Sequence, residues 1–180
     1  MSSTQHTNNK RDPSDYDVLI VGAGFSGLYL LHRLRGSGFR VRVVDRASDV
    51  GGTWYWNRYP GARCDVESMQ YAYSFCPELE QEWVWTEKYA TQPEILRYAH
   101  HVAERFDLRR DIELNTTVTS AVFDESKHRW LAETSDGRAI SAVFCIMATG
   151  CLSTTNTPKF EGQESFAGPV YHTGKWPHKA

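Results

Sequence analysis

The sequence has no hydrophobic run that approaches the roughly 20 residues a helix needs to span a bilayer. Residues 1–14 are polar and lack a hydrophobic stretch, so we expect a disordered tail there and no secretory signal peptide. Cysteine is scarce, and Cys64, Cys76, Cys145 and Cys151 show no C-x-x-C spacing. This scarcity argues against a disulfide framework or a zinc site and favours a reducing cytoplasm.

A basic excess is also missing, because the formal net charge is −2 at pH 7. Proteins that bind nucleic acids show a strong positive patch, so this balance argues against that class of partner. The seven histidines lack the spacing of metal ligands. What the chain has is length for one domain with a real core, 180 residues, and 13% aromatic residues, which indicates large flat surfaces that are packed or stacked.

The most informative stretch is a short aliphatic run that ends in three glycines spaced G-x-G-x-x-G. The run Val18 to Val21 has the composition of a strand buried on both faces, and a helix follows from Ser26 to Arg35. Of the glycines Gly22, Gly24 and Gly27, the second lets a pyrophosphate approach the backbone closely. The free N–H groups and dipole at the start of the helix predict a diphosphate site.

An acidic residue follows at the expected distance. A second strand, Arg40 to Val44, ends in Asp45, within the ~20 residues that separate the glycines from the acid in dinucleotide-binding folds. A carboxylate there accepts hydrogen bonds from the ribose hydroxyls and repels a 2′-phosphate, which favours FAD or NAD over NADP at this site. The alternative is a structural βαβ corner without a ligand.

The segment from Gly51 to Asp65 fits neither a helix nor a strand pattern. It places Trp54, Tyr55 and Trp56 in a row, and such a group needs either a core or a flat ligand to cover it. A packed surface loop with an Arg–Asp ion pair is the alternative reading of this segment.

Further along, the pattern predicts one more helix and then strands. Thr91 and Glu94 form a capping box that begins a helix running to about Phe106, whereas residues 78–89 are irregular or a short helix. We expect His100 and His101 to be solvated or at the edge of the core. Short strands are predicted at residues 112–118, 120–124, 129–134 and 139–142, and a separate buried strand at 143–148. The fold class is therefore α/β: a Rossmann-like, three-layer fold with a parallel sheet and an inserted small antiparallel β-meander.

Three motifs together resemble one family. They are the glycine turn Gly22 to Gly27, the loop Gly51-Gly52-x-Trp54 … Tyr59-Pro60-Gly61 … Asp65, and the run Phe166-x-Gly168-x-x-x-His172-x-x-x-Trp176-Pro177. Together they resemble the type I Baeyer–Villiger monooxygenases, and the loop is especially similar to that of phenylacetone and steroid monooxygenases. The resemblance covers residues 16–178, with Asp45 where many relatives carry Glu.

This resemblance implies that the chain is the N-terminal third of such an enzyme and that its fold is incomplete at the C-terminus. Residues 15–150 would form the first part of an FAD-binding domain, and 151–180 a linker toward an absent NADP-binding domain. The implied cofactors are FAD and NADPH, and the implied reaction converts a ketone to an ester or lactone with O₂ through a peroxyflavin. An N-oxygenating flavin monooxygenase, or a truncated, non-catalytic flavin- or nucleotide-binding fragment, is the alternative.

The resemblance also carries roles for particular residues. Ser26 and the glycine turn would hold the diphosphate, Asp45 the ribose, and residues 53–56, Asp65, Tyr71 and Val118 the flavin. Asp65 would also position the absent catalytic arginine, while residues 63–65 approach NADP. The predicted cofactor-binding residues are Gly22, Gly24, Ser26, Gly27, Asp45, Thr53, Trp54, Tyr55, Trp56, Arg63, Cys64, Asp65, Tyr71 and Val118.

Two residues of the third motif have open roles. His172 is either a catalytic acid or base, or a hinge residue that is hydrogen-bonded between domains, and its position in a linker favours the hinge. Trp176 would anchor the linker by packing.

Overall fold

A computed structural model describes residues 14–177, so nearly all of the predicted tail at residues 1–14 lies outside the described residues. The strands are β1 (Asp15–Val21), β2 (Val41–Val44), β3 (Ile112–Glu113), β4 (Val118–Asp124), β5 (Arg129–Thr134) and β6 (Ala139–Met147). The helices are α1 (Phe25–Gly36), α2 (Thr53–Trp56), α3 (Pro77–Glu82) and α4 (Gln92–Arg105). None of the helices within the described range is long and apolar enough to cross a lipid bilayer.

The six strands form a single mixed sheet in the order β3-β2-β1-β6-β5-β4. Strand β1 is parallel to both β2 and β6, and β2 is parallel to β3. Strand β5 is antiparallel to both of its neighbours, β4 and β6. This is the α/β, Rossmann-like architecture that the sequence predicts, with the carboxyl ends of β1, β2 and β6 at one edge.

The meander is joined to the parallel sheet more directly than predicted. Residues 139–142 and 143–148 were expected to form two strands, but β6 is continuous through both. Its first half pairs with β5, and residues from Ser141 onward pair with β1. Residues 139–148 contain no glycine or proline, so nothing in the sequence breaks the strand at the expected boundary.

The prediction of one strand over residues 112–118 is also wrong, because strand β3 ends at Glu113 and β4 begins only at Val118. Strands β3 and β4 lie at opposite edges of the sheet. Asn115 has a positive φ of 55°, a left-handed conformation that cannot continue a strand and that asparagine tolerates better than most residues.

Two clusters of buried side chains hold the sheet between its neighbours. The first joins β1 and β2 to α1 and α4 through residues such as Ile20, Val43, Leu31 and Ala99. The second joins Leu19 and the end of β2 to the meander. Apolar side chains that alternate along β1 thus reach both layers, as the continuous aliphatic run predicts.

The aromatic loop contains a short helix, α2, that the sequence pattern did not predict. Its four residues are too few to show helical periodicity, so the pattern alone could not reveal it. Residues 77–82 form the short helix α3, which was one of the two alternatives for that segment. Beyond β6 the described chain has only two short 3₁₀ turns, at 163–165 and 173–175.

Helix α4 begins at Gln92, as predicted, but not through a capping box. The Thr91 side chain makes no cap hydrogen bond. The buried carboxyl group of Glu94 instead accepts hydrogen bonds from the Thr86 backbone N–H and hydroxyl, both at 2.9 Å. Glu94 therefore anchors the preceding segment to the helix instead of capping its own first turn.

We expect Glu94→Ala to lower the free energy of unfolding by about 1–3 kcal/mol, because it removes the buried carboxyl group that accepts two hydrogen bonds from Thr86. Thr91→Ala should change it by less than about 0.5 kcal/mol, since the hydroxyl caps nothing. Urea unfolding measures both variants. A loss for Thr91→Ala that is larger than this would contradict the account and support the capping box.

Candidate functional site

A cavity of about 530 Å³ opens at the carboxyl ends of β1, β2 and β6. This is the edge at which open α/β sheets bind ligands, and the volume lies within the range of ordinary small-molecule sites. Nine of the predicted cofactor-binding residues line it: Gly22, Gly24, Ser26, Asp45, Thr53, Trp54, Trp56, Tyr71 and Val118.

The start of helix α1 forms one side of the cavity. Gly24 is its N-cap residue and supplies no side chain to the free backbone N–H groups of the first turn. Gly24, Phe25 and Ser26 all line the cavity. An uncapped helix N-terminus with a positive dipole end is suited to a negatively charged group such as a diphosphate.

The backbone around the glycine turn is packed so closely that side chains are excluded. A Cβ on Gly27 would lie 1.9 Å from the Gly22 carbonyl oxygen, and a Cβ on Gly22 would lie 2.4 Å from the Ala148 carbonyl oxygen. Gly22 also has a φ of +116°, which L side chains rarely adopt. These contacts join α1 to β1, and β1 to the end of β6.

Asp45 connects the end of β2 to the same turn. Its Oδ2 accepts a hydrogen bond from the Ala23 N–H at 2.6 Å, and its Oδ1 accepts one from the Ala47 N–H at 2.8 Å. Each carboxylate oxygen has a second lone pair, so Asp45 can still accept from hydroxyl groups in the cavity. Asp45 thus orders the glycine turn and can also accept hydrogen bonds from a ligand in the cavity.

Aromatic side chains form the opposite wall. Trp54 is buried, and its ring lies edge-on to Tyr71, with centroids 5.5 Å apart. The buried amide of Gln92, at the start of α4, donates to the Trp54 carbonyl and so holds α2 in place. Burial raises the pKa of Tyr71, and the nearby Cys64 and Asp65 side chains raise it further, against a hydrogen bond with Trp54 that lowers it. Tyr71 therefore stays protonated at neutral pH.

Five predicted residues do not line the cavity. Gly27 lies beneath the turn, and the Tyr55 hydroxyl is 2.7 Å from the Ser48 hydroxyl. Cys64 is buried beside Trp54. Arg63 pairs with Glu87 at 3.1 Å, not with Asp65, which is exposed on the surface. The Arg–Asp pair considered for this loop is therefore not formed by Arg63 and Asp65.

Several cavity residues were missed at the sequence level. They include Arg46, Thr116, Thr117 and residues 151–154. The Thr116 N–H donates to the Asp45 carbonyl at 2.8 Å, which places the end of β3 beside the end of β2. The two threonines follow the parallel strand β3 and therefore lie at the ligand-binding edge. They were missed because residues 112–118 were predicted to be one strand.

An acidic residue supports the loop between Asp45 and α2. Asp49 accepts from Arg109 at 2.7 Å, and His100 Nε2 lies 3.3 Å from its other oxygen. Burial acts to raise the pKa of Asp49. The Arg109 hydrogen bond, the Val50 N–H and the nearby His100 outweigh it, so the pKa is lowered. His101 lies 3.5 Å from Glu82 in the same manner, and both histidines are part-exposed next to carboxylates.

The His172 ring ties two parts of the segment after β6 together. Its Nδ1 accepts from the Gly174 N–H at 3.1 Å, and its Nε2 is 3.0 Å from the Asn156 carbonyl oxygen. Because Nδ1 is an acceptor, Nε2 carries the proton and donates to Asn156. Trp176 packs beside Tyr171, with ring centroids 5.2 Å apart.

Known proteins are similar to this chain in sequence and in fold. Residues 20–79 match the family described as an NAD(P)-binding Rossmann-like domain. The acetone monooxygenase (methyl acetate-forming) of Gordonia sp. (strain TY-5) is 50% identical over 161 residues, 89% of this chain and 30% of that protein. The solved structure of an oxidized steroid monooxygenase bound to NADP is 62% identical, with a TM-score of 0.85 over 91% of this chain and 32% of that one.

This chain is homologous to the Baeyer–Villiger monooxygenases. A phenazine N-monooxygenase of Lysobacter antibioticus is also similar, at 47% identity over 92% of this chain and 31% of that protein. The chain spans about a third of the length of the curated relatives it matches. The resemblance read from the three motifs is therefore confirmed, and the match extends over almost all of the described chain.

Substitution of Gly27 by alanine should distort the cavity, because the new Cβ would meet the Gly22 carbonyl oxygen. That oxygen cannot move without displacing the end of β1. We expect a loss of about 3 kcal/mol or more in the free energy of unfolding. Gly36→Ala, in the same helix, meets nothing within 4 Å and should be neutral or up to about 1 kcal/mol more stable. Equal behaviour of the two variants in thermal unfolding would contradict this account.

Asp49→Asn should lower the free energy of unfolding near neutral pH by roughly 0.5–1 kcal/mol, a value limited by the partial exposure of the pair. A lowered folded-state pKa stabilises the fold at pH values above the ordinary 3.8, and this contribution is lost as pH falls through the folded-state pKa. The stability difference between the parent protein and Asp49→Asn should therefore shrink as the pH falls below 3.8 and through the lowered folded-state pKa of Asp49. Glu125→Gln, in an exposed turn, is the control and should show no such pH dependence.

Proposed function

We propose that the natural protein containing this chain is an FAD- and NADPH-dependent Baeyer–Villiger monooxygenase that uses O₂ to convert a small-molecule ketone to an ester or lactone. One observation carries the proposal: an uncapped helix N-terminus, an acidic acceptor and an aromatic wall surround one cavity in a chain homologous to such enzymes.

The residues present fit FAD at this cavity. The first turn of α1 would hold the diphosphate, and Asp45 would accept from the ribose hydroxyls. Thr53, Trp54, Trp56, Tyr71 and Val118 would line the remaining cofactor surface. When bound, FAD supplies the redox chemistry, taking a hydride from NADPH and reacting with O₂. The chain's own residues bind it, orient it and keep water from one side of it.

The predicted residues outside the cavity suit a different part of the reaction. Arg63 and Asp65 are exposed on the surface of the aromatic loop, close in sequence to the cavity wall. We assign Asp65 the role of positioning an arginine from another part of the natural protein, and Arg63 and Cys64 the approach to NADP. Gly27 and Tyr55 support the site from behind, through the glycine turn and the loop at Ser48.

Three further assignments complete the proposal. We assign residues 15–150 to the first part of the FAD-binding domain and residues 151–180 to a linker toward an NADP-binding domain. His172 acts in this linker as an ordering residue, since both ring nitrogens are engaged within the segment. All four cysteines are free thiols, which suits a protein of the reducing cytoplasm.

N-oxygenation is the second candidate, because a phenazine N-monooxygenase is 47% identical to this chain. The two activities call for the same cavity residues in this chain, so the difference must arise from the substrate side. A cofactor-binding piece that does not itself catalyse is a third reading, and it applies to the 180-residue chain taken alone.

The deciding experiment incubates the full-length natural protein with NADPH and O₂ against a panel of cyclic and linear ketones and against phenazine. We expect NADPH consumption that is coupled to ester or lactone formation, detected by mass and by release of acid and alcohol on hydrolysis. Oxidation of phenazine without any ester product would reject the ketone reaction and favour N-oxygenation. Protein that carries FAD but oxidises neither class would favour the non-catalytic reading.

A further inference from the structure

Arg46 is a cavity residue that contacts both the aromatic wall and the segment after β6. It directly follows Asp45 at the carboxyl end of β2 and lines the cavity, but no family motif noted above includes it. Its guanidinium lies over the Trp56 ring, 5.0 Å from the centroid. Its Nη2 also donates to the Ser153 carbonyl at 2.6 Å.

The segment that Arg46 reaches has few other ties to the sheet. The chain leaves β6 and turns at Gly150, where φ is +72°, and residues 151–154 then run along the cavity. Leu152 is 58% exposed. Within residues 14–177, the bond from Arg46 is the one hydrogen bond that joins residues 150–155 to the rest of the fold.

The two contacts of Arg46 act together. A guanidinium that rests on an indole ring is held in one plane, and its N–H groups are then aimed at a fixed place. A charge-assisted hydrogen bond from this oriented group is stronger than a neutral one. Arg46 therefore connects the Asp45 side of the cavity, its aromatic wall and the segment 151–154 that lines it.

We propose that Arg46 is a latch that holds residues 151–154 across the cavity and slows the release of a bound dinucleotide. This inference rests on the proposed function, since it assumes a ligand that runs from Asp45 along the glycine turn. Arg46 is a positioning residue, because it acts through the segment that it holds and not on the reacting atoms.

The test measures FAD release from the full-length natural protein by the rise of flavin fluorescence after dilution. Arg46→Met keeps the apolar stem but removes both contacts, and it should raise the dissociation rate about three- to tenfold. The association rate should stay the same or increase, because opening the segment removes no part of the cavity floor. Arg46→Lys keeps the charge without the planar group and should give an intermediate rate.

A second readout separates a latch from a general loss of stability. Hydrogen exchange of the cofactor-free protein should become faster in Arg46→Met only in peptides that cover residues 150–156. Arg97→Met, on the exposed face of α4 and away from the cavity, is the matched control and should change neither measurement.

Three outcomes would overturn the latch. Release from Arg46→Met within twofold of the parent protein would show that the segment does not retain FAD. Faster exchange throughout the sheet, together with a lower melting temperature, would show a structural role instead. A parent protein that holds no FAD at all would reject the latch together with the proposed function, whereas the first two outcomes leave that function intact.

Discussion

The close approach of backbone segments at the glycine turn is the constraint on which the rest of the structure depends. Gly27 lies directly against the Gly22 carbonyl, and Gly22 lies against Ala148, so α1, β1 and β6 meet without intervening side chains. The Ala23 N–H then binds the Asp45 carboxylate and draws in the end of β2. The cavity exists because these four elements converge at one point and leave the α1 N–H groups uncapped.

The aromatic wall is held from a different direction. Helix α4 is anchored to the core by a stripe of buried apolar residues, and its first residue, Gln92, fixes the backbone of α2. The segment before α4 is fixed in turn by Glu94 through Thr86. The ligand space is thus bounded by two structural units, the glycine turn and the α4-supported loop, which approach each other at Gly24 and Gly52.

Local signals predicted the parts of this structure whose cause is local. The βαβ unit, the acid after β2 and the start of α4 each follow from a short pattern, and each was located correctly from the sequence. The continuity of β6 and the separation of β3 from β4 depend on pairing between distant strands, which no window of residues contains. Glu94 is a further example: its spacing from Thr91 is typical of a capping box, but its carboxyl group accepts hydrogen bonds from Thr86 instead.

For the same reason, the sequence predicted some of the residues that line the cavity and missed others. Residues carried by motifs, such as Gly24, Asp45 and Trp54, line the cavity. Arg46 and residues 151–154 do so because of where the chain runs after β6, and their composition has nothing distinctive. Tyr55 and Arg63 lie inside a motif but point to other partners, since neighbours on a short helix and a tight loop face different ways.

The shared strand β6 has a consequence for synthesis on the ribosome. Strand β1 is central in the sheet, but one of its two neighbours begins more than a hundred residues later, at Ala139. Until that neighbour has been translated, one side of β1 has no native strand partner, and its aliphatic side chains need temporary cover. The nascent chain can therefore complete its nucleotide-binding edge only late, and we expect chaperones that bind aliphatic segments to engage residues 15–21 during translation.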